Sequence, residues 1–403
     1  MKKRNALPIL AALCGLLFTV NPADSQTWTT TSAPATNWQT IASSADGTKL
    51  VAMVYSDDHG GGGPIFVSTN AGTNWTQTSA PTETWIGVAA SADGVKLVAV
   101  AGFNTPGPIY TSTNSGLTWI SNAAPVLFWG WVASSADGTK LAAAPQNGSV
   151  YISTNSGGTW TESTSPFGLY FTIASSADGN KLVAANFFDL IYTSTNAGAT
   201  WTANSPTSGT WYSVASSADG KKLAAVTGSG VSSSDPGSIY TSTNGGTTWL
   251  TNSLTGFWSR VVLSADGNRL AVAAGMTVGD TASIYTSTNF GATWVSNNIE
   301  KHSYSALAAS ADGGRLATAV QGGQIYTAQT VVAPKLNIGL TGTNGLVSWI
   351  VPSTPFQLQR NKDLETANWS DVTTPVVLNL TNLQNQVAGG PTNSSRFYRL
   401  KTP

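Results

Sequence analysis

The chain has 403 residues, 41% of them hydrophobic and only 9% charged, with 19 basic side chains balancing 19 acidic ones. That balance excludes the basic stripe of a DNA- or RNA-binding protein. The single cysteine, Cys14, excludes a disulfide framework, so Ser, Thr, Asn and Gly must carry solubility.

Residues 1–25 read as an export signal. Lys2, Lys3 and Arg4 form a positive end, Ala6 to Val20 an apolar run broken by Pro8, and Ala23-Asp24-Ser25 a small-x-small cleavage site before Gln26. The run is too short for a membrane span, and no other apolar span follows it. Leu13 stands before Cys14 where lipidation wants a small residue. The expectation is an exported chain, extracellular, at the cell surface or periplasmic, with no membrane span once the signal is removed. The mature chain then holds no cysteine and has a slight acidic excess.

From residue 26 to 330 two phrases alternate. Ser-Thr-Asn-x-Gly-x-Thr-Trp occurs at Ser112–Trp119, Ser153–Trp160, Ser194–Trp201, Ser242–Trp249 and Ser287–Trp294; a sixth copy, Ser68–Trp75, has Asn74 in the Thr position. Ser-Ala-Asp-Gly-x-Lys/Arg-Leu starts at Ser44, Ser91, Ser135, Ser176, Ser217, Ser264 and Ser310, so seven units are numbered by it below. Its spacings of 41 to 47 residues, with short strands in each unit, point to a propeller. In Trp211–Trp258 the reading is strand, Ala218-Asp219-Gly220 turn, strand Leu223–Val226, loop, strand Ser238–Ser242, Asn244-Gly245-Gly246 turn and a fourth strand from Thr248. Such a unit is one antiparallel blade. The Asn residues, Asn70, Asn114, Asn155, Asn196, Asn244 and Asn289, are read as structural: each closes an Asx-turn, with the glycine two residues on left-handed. The seventh unit lacks a Thr-Trp strand, and Thr27-Trp28 supplies a matching one. Residues 27–32 are therefore expected to pair with 324–329 and close the ring, removing two sheet edges.

These phrases resemble known repeats. The Asn phrase resembles the Asp-box (BNR) of sialidase-type propellers, with Asn in place of Asp. The Ser-Ala-Asp-Gly phrase looks like the repeat of TolB-type propellers, and the combination is similar to the repeats of photosystem-assembly propeller factors. The resemblance covers residues 27–330 and implies the fold; Asp-boxes occur in hydrolases and in pure binding proteins, so it implies no single activity. A sialidase needs three arginines, whereas this propeller has Arg260, Arg269 and Arg315, and the last two occupy the Lys position of the turn phrase. Only Arg260 departs from the repeat, and sialidase activity is not expected.

Beyond a linker at residues 331–334, residues 335–403 change character. Trp349–Pro352, Phe356–Arg360, Trp369 and Phe397–Leu400 alternate like short strands and look like the C-terminal β-sandwich module of secreted bacterial proteins, immunoglobulin-like or fibronectin-like. The expected fold is thus all-β: a seven-bladed propeller of four-stranded blades over residues 26–330, closed by its N-terminal strand, followed by a small sandwich.

Function should sit where one unit departs from the others. Each inner strand opens on an aromatic: Trp38, Trp85, Trp129, Tyr170, Trp211, Trp258 or Tyr304. Wedge packing between blades is the expected role, with sugar-stacking platforms as the alternative. Beside them Trp131, Phe171, Tyr212 and Arg260 replace small or polar residues, and Phe128, Phe187 and Phe188 add apolar loop residues on the same face. His59 and His302 fall there too, as do the acids Asp57, Asp58, Glu83, Asp189, Asp235, Asp280 and Glu300; Glu162 is a further repeat-breaking acid. No spacing selects a glycosidase pair from these acids or a metal site from the histidines, and neither cofactor nor metal is expected. The ligand-binding candidates are Trp131, Phe171, Tyr212, Arg260, Phe187, Phe188, His59 and His302. The expected role is a monomeric binding or scaffold propeller for a glycan or protein ligand, with a loop-acid glycoside hydrolase and a surface-attached assembly or adhesion factor as alternatives.

Overall fold

The computed structural model describes residues 26–55, 61–102, 105–228, 236–274, 283–300, 302–341, 344–391 and 396–402. The export signal, His59 and the acids Asp57, Asp58, Asp235 and Asp280 lie outside them. The described residues are all-β, without a helix. No helix among them is long and apolar enough to cross a membrane.

Units two to six are five separate four-stranded antiparallel sheets, each in chain order from the inner strand outward. Units one and seven share an eight-stranded sheet, because the long second strand of unit seven, Arg315–Gly323, pairs at its end with the inner strand of unit one, Thr36–Ser43. The outer strand of unit seven comes from the other end of the chain: Trp28↔Ala328, Thr29↔Thr327 and Thr30↔Tyr326 are antiparallel partners. Trp28 is half-buried there, less deeply than a core tryptophan. The outer strands of the other units are short, two residues in most, and begin after the phrase Trp, which belongs to the turn itself.

The two phrases build the two turns that face one side. In Ser-Ala-Asp-Gly the Asp carboxylate accepts the Ser hydroxyl and the amide two residues on, as at Asp46 from Ser44 (2.6 Å) and Thr48 N (2.9 Å), while Ser44 Oγ accepts Lys49 N. Burial raises the carboxyl pKa at Asp46, Asp137, Asp178 and Asp219, but these donors outweigh it and the net shift is downward. In the Asn phrase, Asn155 Oδ1 accepts Ser153 Oγ (3.0 Å) and Thr159 N (2.8 Å), and its Nδ2 donates to Thr159 Oγ1 (3.0 Å). The expected left-handed glycine is present (Gly157, φ 90°), and the residue before it is left-handed as well: Ser156 has φ 57°, and Ala71, Ser115, Ala197 and Phe290 match it. Two acceptor contacts carry this turn, and a hydroxyl can rotate to donate to a carboxylate. Asn155→Asp is therefore expected to melt close to the native protein, whereas Asn155→Ala should cost about 1 kcal/mol in a thermal melt, through loss of a side-chain–backbone bond.

On the same side the units are joined at the axis. The alanine N–H of each Ser-Ala-Asp-Gly phrase donates to the alanine carbonyl of the next: Ala45 to Ala92, then Ala136, Ala177, Ala218, Ala265 and Ala311, and from Ala311 back to Ala45, at 2.6–2.8 Å. These seven bonds form a closed cycle. Lys49, Lys140 and Lys181 also reach the following unit, donating to the carbonyls of Asp93, Asp178 and Asp219, and Arg315 does the same to Asp46 across the chain ends.

The C-terminal residues form a four-stranded and a three-stranded sheet around Val347, Trp349, Leu358 and Val387. This region sits on the alanine cycle, with Val351, Ile350, Leu378 and Leu383 in one apolar cluster with the ring alanines. Ser353 fixes the join: its N and Oγ both donate to Asp312 Oδ2, at 2.7 and 2.8 Å. In other units that second oxygen is taken by the residue two positions on, such as Thr48 or Asn180. Unit seven has Gly314 at that position, and a Cβ there would fall 2.5 Å from Ser353 Oγ.

Candidate functional site

The opposite side is built from the connections between units and between second and third strands. They are hydrogen-bonded to one another, with bridges at Gly63↔Glu83, Gly107↔Leu127 and Gly148↔Gly168. Each inner strand begins here, and each carries the same irregularity. Trp129 pairs with Pro145 and Trp131 with Ala144, so Gly130 is an extra residue; the same skip occurs at Gln39, Ile86, Phe171, Tyr212, Ser259 and Ser305. A bulge re-aims side chains at the rim of a sheet. The four departures fall on it: Phe171 and Tyr212 are bulged residues, and Trp131 and Arg260 immediately follow one.

The seven aromatics that open the strands are fully buried and do not form stacking platforms. Each ring wedges between units and meets a third-strand ring edge-on in units one to six, as in Trp85–Tyr110 (5.3 Å, 70°) and Trp211–Tyr240 (5.3 Å, 65°). Six of the seven use their polar atom internally, while Trp258 Nε1 is buried without an acceptor among the described residues. Trp85 Nε1 donates to Gly63 O, Trp211 Nε1 to Asp189 O, Tyr170 Oη to Pro166 O and Tyr304 Oη to Glu300 O.

Four candidates form one cluster over units four and five. Phe187 is its centre, 4.7 Å from Phe171, 4.6 Å from Phe188 and 5.2 Å from Tyr212 by ring centroid, with interplanar angles of 57–78°. Phe171, Phe187 and Tyr212 are half-buried, and Phe188 is 60% exposed. Tyr212 lies against Gly228, where a Cβ would meet its ring at 2.2 Å. Val126, Phe128 and Phe167, on the connections entering units three and four, are exposed on the same side. Tilted and edge-to-face rings of this kind do not make a flat double platform.

Trp131 and Arg260 form a second group. The Arg260 guanidinium lies over the Trp131 ring, 4.7 Å from its centroid. The two strands stand three units apart around a cycle of seven, so these side chains meet across the axis. Glycines let the inner strands approach closely here: a Cβ on Gly130 would fall 1.8 Å from Tyr170 O, and one on Gly87 3.3 Å from Trp131 Cα. At the position of Arg260 and Trp131, Thr172 and Ser213 instead accept the amide of the next unit, Val214 N and Val261 N. Arg260 Nη1 donates to Ser259 O (3.0 Å), while Nε is buried with no acceptor. The side chain is half-buried, and desolvation within the protein pulls the guanidinium pKa down to about 10. It remains charged at neutral pH.

The loop acids are engaged one by one. Glu83 Oε1 accepts Tyr110 Oη (2.8 Å), Asp189 Oδ2 accepts Tyr192 Oη (3.1 Å), and Glu300 Oε2 accepts Tyr326 Oη (3.1 Å). Burial first, and then the Glu83 contact, push the Tyr110 phenol up to about 12. Glu162 lies away from this face, on the outer strand of unit three beside Tyr151. His302 belongs to the unit-seven group, with Nε2 3.0 Å from Glu300 Oε2, and is separate from the aromatic cluster. Among the described residues no group of three or more His, Cys, Asp or Glu side chains is arranged to hold a metal.

No protein-family model matches the chain, and no curated protein does. Solved structures do. A glycoside-hydrolase family 74 xyloglucanase from Xanthomonas campestris superposes with TM-score 0.60 at 14% identity, over 81% of this chain and 59% of that one. The structure of YCF48 bound to D1 peptide superposes with TM-score 0.57 at 13% identity, over 77% of this chain and 98% of that one. This chain therefore spans less than two thirds of the xyloglucanase. At these identities the likeness is one of architecture, and with the repeated four-stranded sheets it makes the fold a β-propeller.

Proposed function

We propose that this chain is an exported, seven-bladed binding propeller that takes a segment of a protein ligand on its loop face. The observation that carries the reading is the Phe171–Phe187–Phe188–Tyr212 cluster, assembled from residues that depart from the repeat. Val126, Phe128 and Phe167, on the connections entering units three and four, are further exposed apolar residues. Three of the four side chains are phenylalanines, which offer apolar surface and no donors for sugar hydroxyls, and this favours a peptide segment over a glycan. YCF48, of the same architecture, was solved with a peptide. Hydrolysis has less support, because Glu83, Asp189 and Glu300 each accept a tyrosine hydroxyl and the shifted carboxyl pKa at Glu300 is lowered, by its contacts with His302 and Tyr326.

The test is a binding screen of the mature protein against immobilised peptides and neutral oligosaccharides. Phe188→Ala is expected to melt with the native protein and to weaken peptide binding by about 2 kcal/mol, as loss of an interface anchor does. Capture of oligosaccharides alone, or binding that Phe188→Ala leaves intact, would refute the reading.

A further inference from the structure

Resting on that loop-face reading, we propose that the Arg260–Trp131 pair at the axis is a carboxylate subsite, with Arg260 as its anchor and an acidic residue of a peptide as its ligand. Arg260 takes part in no ion pair among the described residues, where the pair found is His302–Glu300. Its Nε–H is buried without an acceptor, and Nη1 is used only on its own chain, at Ser259 O. A desolvated cation that lacks an anion is costly to keep. The Trp131 face offsets part of that cost and holds the guanidinium in place, leaving its donor edge unused. The Arg fork matches a carboxylate with two parallel bonds, which no neutral group reproduces. Entry is from the loop side, because Val351 and the ring alanines close the axis on the other. An acidic side chain and a chain-terminal carboxylate share this chemistry.

The experiment uses the mature protein and an immobilised octapeptide array in three series. One carries Asp or Glu with an amidated end, one carries Asn or Gln with a free carboxyl end, and one is neutral throughout; oligogalacturonate is printed beside them. Arg260→Gln is expected to weaken binding of a carboxylate series by about 30-fold or more and to leave the neutral series unchanged. Which carboxylate series responds identifies the source. Arg260→Met is expected to melt no lower than the native protein, since it removes an unpaired buried charge. Peptide binding that Phe188→Ala abolishes but that ignores peptide charge would overturn the subsite and keep the loop-face reading. A marked fall in the melting temperature of Arg260→Met would overturn the subsite, and binding of oligogalacturonate alone would overturn the peptide ligand and with it both readings. Absence of binding across the whole array would overturn both readings.

A different observation carries a second inference. We infer that the export signal is removed before Gln26 and that Gln26 then cyclises to pyroglutamate. The Gln26 backbone N lies 2.8 Å from Asn297 Oδ1 in a buried site, and that carbonyl is its one acceptor among the described residues. A free terminal ammonium carries three donors and a charge into this site; a lactam carries one N–H and none. The α-amine attacks the side-chain amide carbon, the N–Cδ bond forms, the Cδ–Nε2 bond breaks, and ammonia leaves. Intact mass and N-terminal sequencing of the secreted protein test this. The expected result is a blocked chain lighter by one ammonia than the Gln26 form, opened by pyroglutamyl peptidase. A free Gln26 amine, or a mature end elsewhere, would overturn it.

Discussion

Trp211→Ala is expected to lower stability by about 3–5 kcal/mol, the usual range for truncating a fully buried Trp. The ring fills the wedge between units four and five with Val183, Ala185, Ile191 and Val214, and meets Tyr240 edge-on. Its indole N–H closes on Asp189 O, which then loses a donor. Inner strands are held close around the axis, so the cavity cannot collapse without moving two units. Equilibrium denaturation in urea measures the loss. A change below about 1 kcal/mol would mean that this aromatic does not wedge the ring.

Removal of residues 26–35 is the second large effect, expected to cost roughly 3–5 kcal/mol and to promote aggregation. The deletion strips the outer strand from Ile325–Gln329 and exposes that edge. It also removes the half-buried Trp28 and leaves buried Asn297 Oδ1 without its donor, Gln26 N. Thermal melts with light scattering read both consequences. A truncated protein that melts and stays monomeric like the native chain would contradict closure through this strand.

The architecture was legible because turns are spelled locally. Ser, Asp, Asn and Gly at fixed offsets satisfy their own backbone, so the phrases mark the hairpins wherever they occur. Trp28 announced the closing strand by matching the other units in composition and period. The candidate site was legible only as a set of departures. Phe171 and Tyr212 stood out in the sequence, but their meeting with Phe187 depends on a strand bulge and a loop path that no short pattern encodes. Trp131 and Arg260 meet across the axis, a contact between distant units that only the closed ring creates. The aromatics opening each strand were ambiguous because burial, not residue type, separates a wedge from a platform. Docking of the C-terminal sheets on the alanine cycle was hidden for the same reason.

The central claim is that residues common to the repeats hold the fold while departures on the loop face hold the ligand. It is tested most directly by measuring binding and melting together on Phe188→Ala and Trp211→Ala against one peptide panel. The account predicts native melting with lost binding for Phe188→Ala, and early melting for Trp211→Ala with native affinity in the fraction that remains folded. Early melting of Phe188→Ala with unchanged affinity would contradict it, and would place this aromatic cluster among the packing residues.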